Sequence, residues 1–216
     1  MRQPIFFDSA STTPCCTEAI DLFRQYAEID YGNPSSSHGS GQRAHRELHR
    51  SRLFFADVFK VDPEQVVFTG SGTEANNLAL YGVASARLSK TKQPSHILAS
   101  NTEHPSITRT LESLAALGVE TGEIPVDSQG QILRPALFAN LRNETRLLSI
   151  QHVNNVLGTY LPVEDLAREV KAQFPKTLFH TDAVQSFGKF PIPTAHSSID
   201  LLSISGHKVH GPKGVG

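Results

Sequence analysis

The sequence predicts an α/β domain: a mostly parallel sheet with helices on both faces. Three observations lead there. Short apolar, β-rich runs alternate with longer segments of helical periodicity, the pattern of βαβ crossovers that bury a parallel sheet from both sides. No repeat, low-complexity tract or charge run divides the 216 residues. The polar clusters fall where strands end and helices begin, which is where such sheets bind ligands.

Taken in order, residues 18–28 and 42–59 have helical spacing and flank the loop Tyr31-Gly32-Asn33-Pro34-Ser35-Ser36-Ser37-His38. Val66-Val67-Phe68-Thr69 reads as a strand, followed by the turn Gly70-Ser71-Gly72. Residues 73–88 then carry Leu78, Leu80, Tyr81 and Val83 in a helical stretch. His96-Ile97-Leu98-Ala99-Ser100 is the next strand, and residues 106–117 form a helix stopped by Gly118. Further strands are expected over 119–124, 147–150 and 178–181. A helix over 163–174, ended by Pro175, separates the last two. The final Gly211-Pro212-Lys213-Gly214-Val215-Gly216 is a glycine-rich turn of the kind that leads into another element, so a truncated chain is expected.

Composition narrows the function. Twenty Lys and Arg against 21 Asp and Glu give a net charge of −1, which argues against a basic nucleic-acid footprint or a polybasic membrane surface. Twelve Phe with many Leu, Val and Ile supply a core and exclude wholesale disorder. No run of 18 apolar residues spans a membrane, and the start Met1-Arg2-Gln3-Pro4-Ile5-Phe6-Phe7-Asp8 turns polar too soon for a signal peptide. The neighbours Cys15 and Cys16 cannot build a disulfide framework, which fits a reducing cytoplasm.

Three constellations have chemical potential. Thr69-Gly70-Ser71-Gly72-Thr73-Glu74 joins a strand to a helix, where bare N–H groups favour a phosphate. It is neither a Walker A loop nor G-x-G-x-x-G, and a plain strand–helix turn has the same look. Thr181-Asp182-Ala183-Val184-Gln185 follows a strand. Asp182 there suits a cationic partner or a helix N-cap equally well. Ser203-Ile204-Ser205-Gly206-His207-Lys208 ends in a lysine beside a glycine turn. Such a lysine is a surface charge unless a neighbouring cofactor makes it a nucleophile and base. The ten histidines include His45 and His49 four apart and His207 and His210 three apart, with no Cys, Asp or Glu at a metal-ligand spacing. No metal site is expected, and Cys15 and Cys16 read as packing thiols.

Together, in this order, the phosphate loop, the aspartate and the lysine resemble the fold type I enzymes that use pyridoxal 5'-phosphate (PLP). The likeness narrows to the class V aminotransferase group, and within it to cysteine desulfurases of the NifS/IscS type. It rests on Asp8-Ser9-Ala10-Ser11-Thr12-Thr13-Pro14, Gly32-Asn33-Pro34-Ser35-Ser36-Ser37-His38 and Phe68-Thr69-Gly70-Ser71-Gly72-Thr73-Glu74-Ala75-Asn76-Asn77-Leu78. It continues through Thr102-Glu103-His104-Pro105, Val153-Asn154-Asn155, His180-Thr181-Asp182-Ala183-Val184-Gln185, Ser205-Gly206-His207-Lys208 and the terminal glycine turn. The Asn33-Pro34-Ser35-Ser36-Ser37-His38 form of the loop points to the NifS/IscS branch rather than the SufS one.

The resemblance implies a three-layer large domain, with residues 1–216 forming an N-terminal segment plus most of the PLP-binding domain and the C-terminal small domain absent. It implies that Lys208 joins the cofactor covalently and moves the α-proton, and that Asp182 pairs with the pyridine nitrogen. Gln185 is expected on the phenolic oxygen and His104 on the ring face. Asn155 is expected at the cofactor or substrate, and Gly72, Thr73, Ser205 and His207 at the phosphate. The implied activity converts L-cysteine to L-alanine, leaving a persulfide for iron–sulfur cluster or thiolation pathways. A homodimer, with sulfur-acceptor or scaffold proteins as partners, is implied as well.

Two departures stand out. Val156 follows the Asn154-Asn155 pair, where relatives usually have Glu. The nucleophilic cysteine and the carboxylate-binding arginine of relatives lie in a C-terminal region with no counterpart here, and neither Cys15 nor Cys16 matches the former. The chain alone is therefore expected to lack desulfurase activity. Two other readings share these residues: a different class V aminotransferase or lyase, and an inactive module that binds or dimerises.

Overall fold

The computed structural model describes residues 5–91 and 95–216. Two helices come first, α1 (Thr17–Glu28) and α2 (Gly39–Phe59). They are followed by α3 (Gly72–Thr91), β1 (His96–Ser100), α4 (Pro105–Ala116), β2 (Glu120–Ile124), α5 (Arg134–Asn140) and β3 (Thr145–Ser149). α6 (Val163–Gln173), β4 (Leu178–Asp182) and β5 (Leu201–Ser203) complete the order. The five strands form one sheet in the order β2-β1-β3-β4-β5, and every pairing is parallel.

Strand periodicity distributes the core. On β1 and β3, Leu98 and Leu148 face one cluster with Leu137 of α5 and Leu166 and Val170 of α6. Ile97, Ala99 and Leu147 face the opposite cluster, with Leu80 of α3 and Ile107, Leu111 and Leu114 of α4. Both sheet faces are thus covered, as the alternation predicts. A polar seam also crosses the middle of the sheet. His180 Nδ1 lies 2.8 Å from Ser149 Oγ and its Nε2 lies 3.0 Å from Ser203 Oγ, so three adjacent strands satisfy one fully buried imidazole.

One strand expectation is overturned. Residues 66–69 are irregular, outside the sheet; Thr69 instead exchanges two 2.8 Å backbone hydrogen bonds with Gly216. Two elements had no prediction, α5 and β5. α5 opens with Pro in its first turn, where the missing N–H costs nothing, and β5 has only three residues.

α1 buries none of its side chains, and α2 buries only Gly41 and Ala56. Ile20, Phe23, Leu53 and Phe54 on these helices are exposed. No helix among the described residues is long and apolar enough to cross a membrane.

Candidate active site

At the carboxyl end of the sheet lies a cleft of about 450 Å³. Several segments contribute to it in turn. Gly72 and Thr73 come from the start of α3, His104 from the turn between β1 and α4, and Asn155 from the loop after β3. Asp182 and Gln185 follow from the end of β4, then Ser205, His207 and Lys208 from the turn after β5. The structure therefore brings together every site residue expected from the sequence.

The start of α3 is an open donor surface. Ser71 Oγ accepts from Glu74 N, the Ser71 carbonyl accepts from Ala75 N, and Glu74 Oε2 reaches back to Gly70 N at 2.7 Å. Among the described residues no acceptor takes the Gly72 or Thr73 N–H. Gly72 is required for close approach: a Cβ there would meet Val184 Cγ2 at 2.8 Å and Ser205 Cβ at 3.2 Å. Ser205 Oγ is buried with no partner in the same corner.

Asp182 is the last residue of β4 and is buried. No helix begins there, so it is not an N-cap. Its Oδ1 accepts from Val184 N at 2.9 Å and its Oδ2 from Asn76 Nδ2 at 2.7 Å. Burial pushes the carboxyl above its ordinary range, opposed by those two hydrogen bonds and by His104 and Lys208. Asn76 is a site residue that the sequence reading missed, although it stands one turn into α3 on the side that faces Gly72.

Asn76 Nδ2 also donates to Ser106 Oγ at 2.9 Å, and that hydroxyl lies 2.8 Å from His104 Nδ1. Ser106 N donates to the same nitrogen, which makes Nδ1 an acceptor and caps α4. Since Ser106 Oγ accepts from Asn76, its own proton goes to His104 Nδ1. The ring proton of a neutral His104 then sits on Nε2. A continuous hydrogen-bond chain thus connects Asp182 to His104.

The N-terminal segment, residues 8–16, is the second feature missed. It lies as a strap across the turn after β5. Thr13 N and Oγ1 both donate to the His207 carbonyl, His210 N donates to Thr13 Oγ1, and Cys16 N donates to the His210 carbonyl. Lys208 Nζ donates to the carbonyls of Ala10 at 2.6 Å and Ser11 at 2.8 Å, and Gln185 Nε2 donates to the Ala10 carbonyl. Burial holds the Lys208 ammonium below its usual range, reinforced by Lys189 and opposed by Asp182 and Asp8. The motif Ser9-Ala10-Ser11 was legible, but its working atoms are main-chain oxygens that leave no side-chain signature.

Asn155 is exposed on the hairpin organised by Asn154, whose Oδ1 accepts from Val156 N and Leu157 N. Val156 is 82% exposed and enters that turn through its backbone alone. Its side chain therefore removes no contact from the cleft. Among the described residues no group of three His, Cys, Asp or Glu side chains could hold a metal ion.

The aminotransferase class-V family model matches residues 5–216. Cysteine desulfurase IscS of Dictyoglomus turgidum is 38% identical over 216 residues, which are 100% of this chain and 54% of the relative. The mitochondrial cysteine desulfurase of Candida albicans is 38% identical across 99% of this chain and 43% of its own length. Among solved structures, a NifS-like protein superposes with a TM-score of 0.93 at 35% identity, covering 99% of this chain and 58% of that one. SspA in complex with cysteine gives 0.90 at 34% identity, covering 97% and 59%. The chain spans about half the length of the curated relatives it matches. It belongs to the aminotransferase class-V family, and its relatives there are cysteine desulfurases of the NifS/IscS type.

Proposed function

We propose that residues 1–216 are the N-terminal segment and most of the PLP-binding large domain of a cysteine desulfurase. The small domain then corresponds to the part of the relatives that this chain does not span, and with it the acceptor cysteine. The observation that carries this reading is the convergence of the α3 start, Asp182 and Lys208 on one cleft.

The residues fit the cofactor. Two unclaimed backbone N–H groups and the orphaned Ser205 Oγ form an anion-binding corner beside a Gly72 that tolerates no side chain. Asp182 has spare lone pairs on both anchored oxygens. PLP, when bound, supplies an electron sink for the substrate's α-carbon.

The rest falls to the protein's own groups. Gly72, Thr73, Ser205 and His207 hold the phosphate. Asp182 keeps its carboxylate on the pyridine nitrogen, Gln185 serves the phenolic oxygen, and His104 covers the ring. Asn155 contacts the cofactor or the substrate. A depressed ammonium pKa leaves more of the Lys208 amine neutral, which suits it to act first as nucleophile and then as the base that takes the α-proton. The Ala10 and Ser11 carbonyls provide the resting position of that amine.

L-cysteine as substrate is supported by the solved relative in complex with cysteine. The exposed apolar faces of α1 and α2 support homodimer assembly and docking of sulfur-acceptor proteins. Two free cysteines fit the cytoplasm.

The test is direct. PLP followed by borohydride reduction should leave a pyridoxyl mass adduct on the Lys208 peptide, and none in Lys208→Ala. No adduct at Lys208 in the wild-type chain would sink the reading.

A further inference from the structure

One buried carboxyl has no part in the chemistry above. Glu103 is 7% exposed and precedes His104 directly. Its Oε1 accepts from Ser100 Oγ at 2.6 Å and from the Gln151 backbone N–H at 2.8 Å. Around it, Gln151 Nε2 donates to the Thr102 carbonyl at 2.8 Å and to Thr102 Oγ1 at 3.1 Å, and Asn154 Nδ2 donates to the same carbonyl at 2.9 Å. Four of these hydrogen bonds tie the turn after β1 to the loop after β3, and the fifth, from Ser100, holds Glu103 within its own turn. The next residues outward are His104 on one side and Asn155 on the other, and both face the cleft.

We infer that Glu103 is a positioning residue of this site: through Oε1 it staples the turn that presents His104 to the loop that presents Asn155. This rests on the reading of the cleft as the PLP site.

Geometry also selects the form of the acid. Glu103 Oε2 is buried with no partner. An unpaired anionic oxygen is far more costly there than an unpaired hydroxyl. Burial, with the Asp182 charge adding to it, pushes the carboxyl up to about 8 against the Ser100 and Gln151 hydrogen bonds. The staple therefore uses a neutral carboxylic acid, whose carbonyl oxygen accepts both bonds. Glutamine has that same acceptor at the same reach. Aspartate keeps the acid but falls one methylene short of spanning Ser100 and Gln151.

The experiment compares Glu103→Gln, Glu103→Asp and Glu103→Ala. One readout is the His104 ring resonances of the ligand-free chain by ¹⁵N NMR, and the other is PLP affinity by fluorescence titration. Glu103→Gln should keep the wild-type His104 signals and bind PLP within about threefold of wild type. Glu103→Asp and Glu103→Ala should shift or broaden those signals and weaken PLP about tenfold or more, the cost of losing one buried hydrogen bond. Glu103→Asp matching wild type in both readouts, or Glu103→Gln failing as badly as Glu103→Ala, overturns the inference. Failure of the wild-type chain to bind PLP would refute the proposed function instead, while the ligand-free His104 signals would still decide the role of Glu103.

Discussion

Asn76 and Asp182, 106 positions apart in the chain, meet through a 2.7 Å hydrogen bond from the Asn76 amide to the buried carboxylate. The same amide nitrogen reaches Ser106 and, through it, His104. One helix side chain thereby orients two groups that approach the cleft from different strands.

Asn76→Ala removes a donor from a carboxyl that burial already pushes upward. Leaving a buried acceptor short costs about 1–3 kcal/mol, so PLP affinity should fall by about tenfold or more. Fluorescence titration reads this directly. Affinity unchanged from wild type would show that Asp182 needs no help from α3.

Gly72→Ala drives a methyl into Val184 and Ser205. Overpacking of this kind costs about 1–3 kcal/mol, visible as a lower urea midpoint and weaker PLP binding. Adding Val184→Ala should restore part of both losses, because Val184 supplies the nearest contact. A double variant no better than the single would locate the problem elsewhere.

The combined contribution of His96, His180 and Glu103 to stability should peak near pH 6.5. Burial lowers His96 and His180 from 6.5 to about 4. Below 6.5 the unfolded chain takes up protons on these rings that the folded chain refuses, so stability falls as pH drops from 6.5 toward 4. Glu103, raised from 4.5 to about 8, works the other way: its contribution is complete below 4.5 and is lost as pH rises through 8. Between 4.5 and 6.5 the two histidines outweigh the single acid; above 6.5 the acid alone remains of the three. The difference in urea midpoint between wild type and Glu103→Gln, measured from pH 4 to 9, isolates the acid: it should fall as pH rises from 4.5 through 8, and a difference flat across that range would contradict a neutral Glu103.

Lys208→Met gives up the two bonds to the strap but leaves the Thr13 bonds to His207 and His210 intact. Its folding stability should change by no more than about 2 kcal/mol, the net worth of two partly exposed hydrogen bonds. Borohydride trapping of PLP should vanish completely. Melting curves and intact mass together separate a lost nucleophile from a lost fold.

Much of the sheet was readable because β1, β3 and β4 each contain a short apolar run, as in His96-Ile97-Leu98-Ala99-Ser100 before Thr102 or Leu178–Asp182 after Pro175. Residues 66–69 are also apolar, but Val66 N turns back to the Pro63 carbonyl and the Thr69 backbone pairs only with Gly216, so β-propensity there lacks a ladder to express it. α5 hid behind its proline, and β5 behind its three-residue length. In the cleft, Asp182 and Lys208 were legible because their chemistry is in the side chain and they follow apolar runs, and Gly72 because a glycine pair before a helical stretch marks a helix start. Asn76 looks like any polar residue of an amphipathic helix, and the strap acts through carbonyl oxygens that every residue possesses.

The strap also sets an order of events. Its partners lie 194–198 positions later in the chain. Closing so long a loop is entropically expensive and slow. During synthesis the strap must wait, undocked, until the turn after β5 has been made, so the lysine's cradle is assembled only after all five strands have been synthesised.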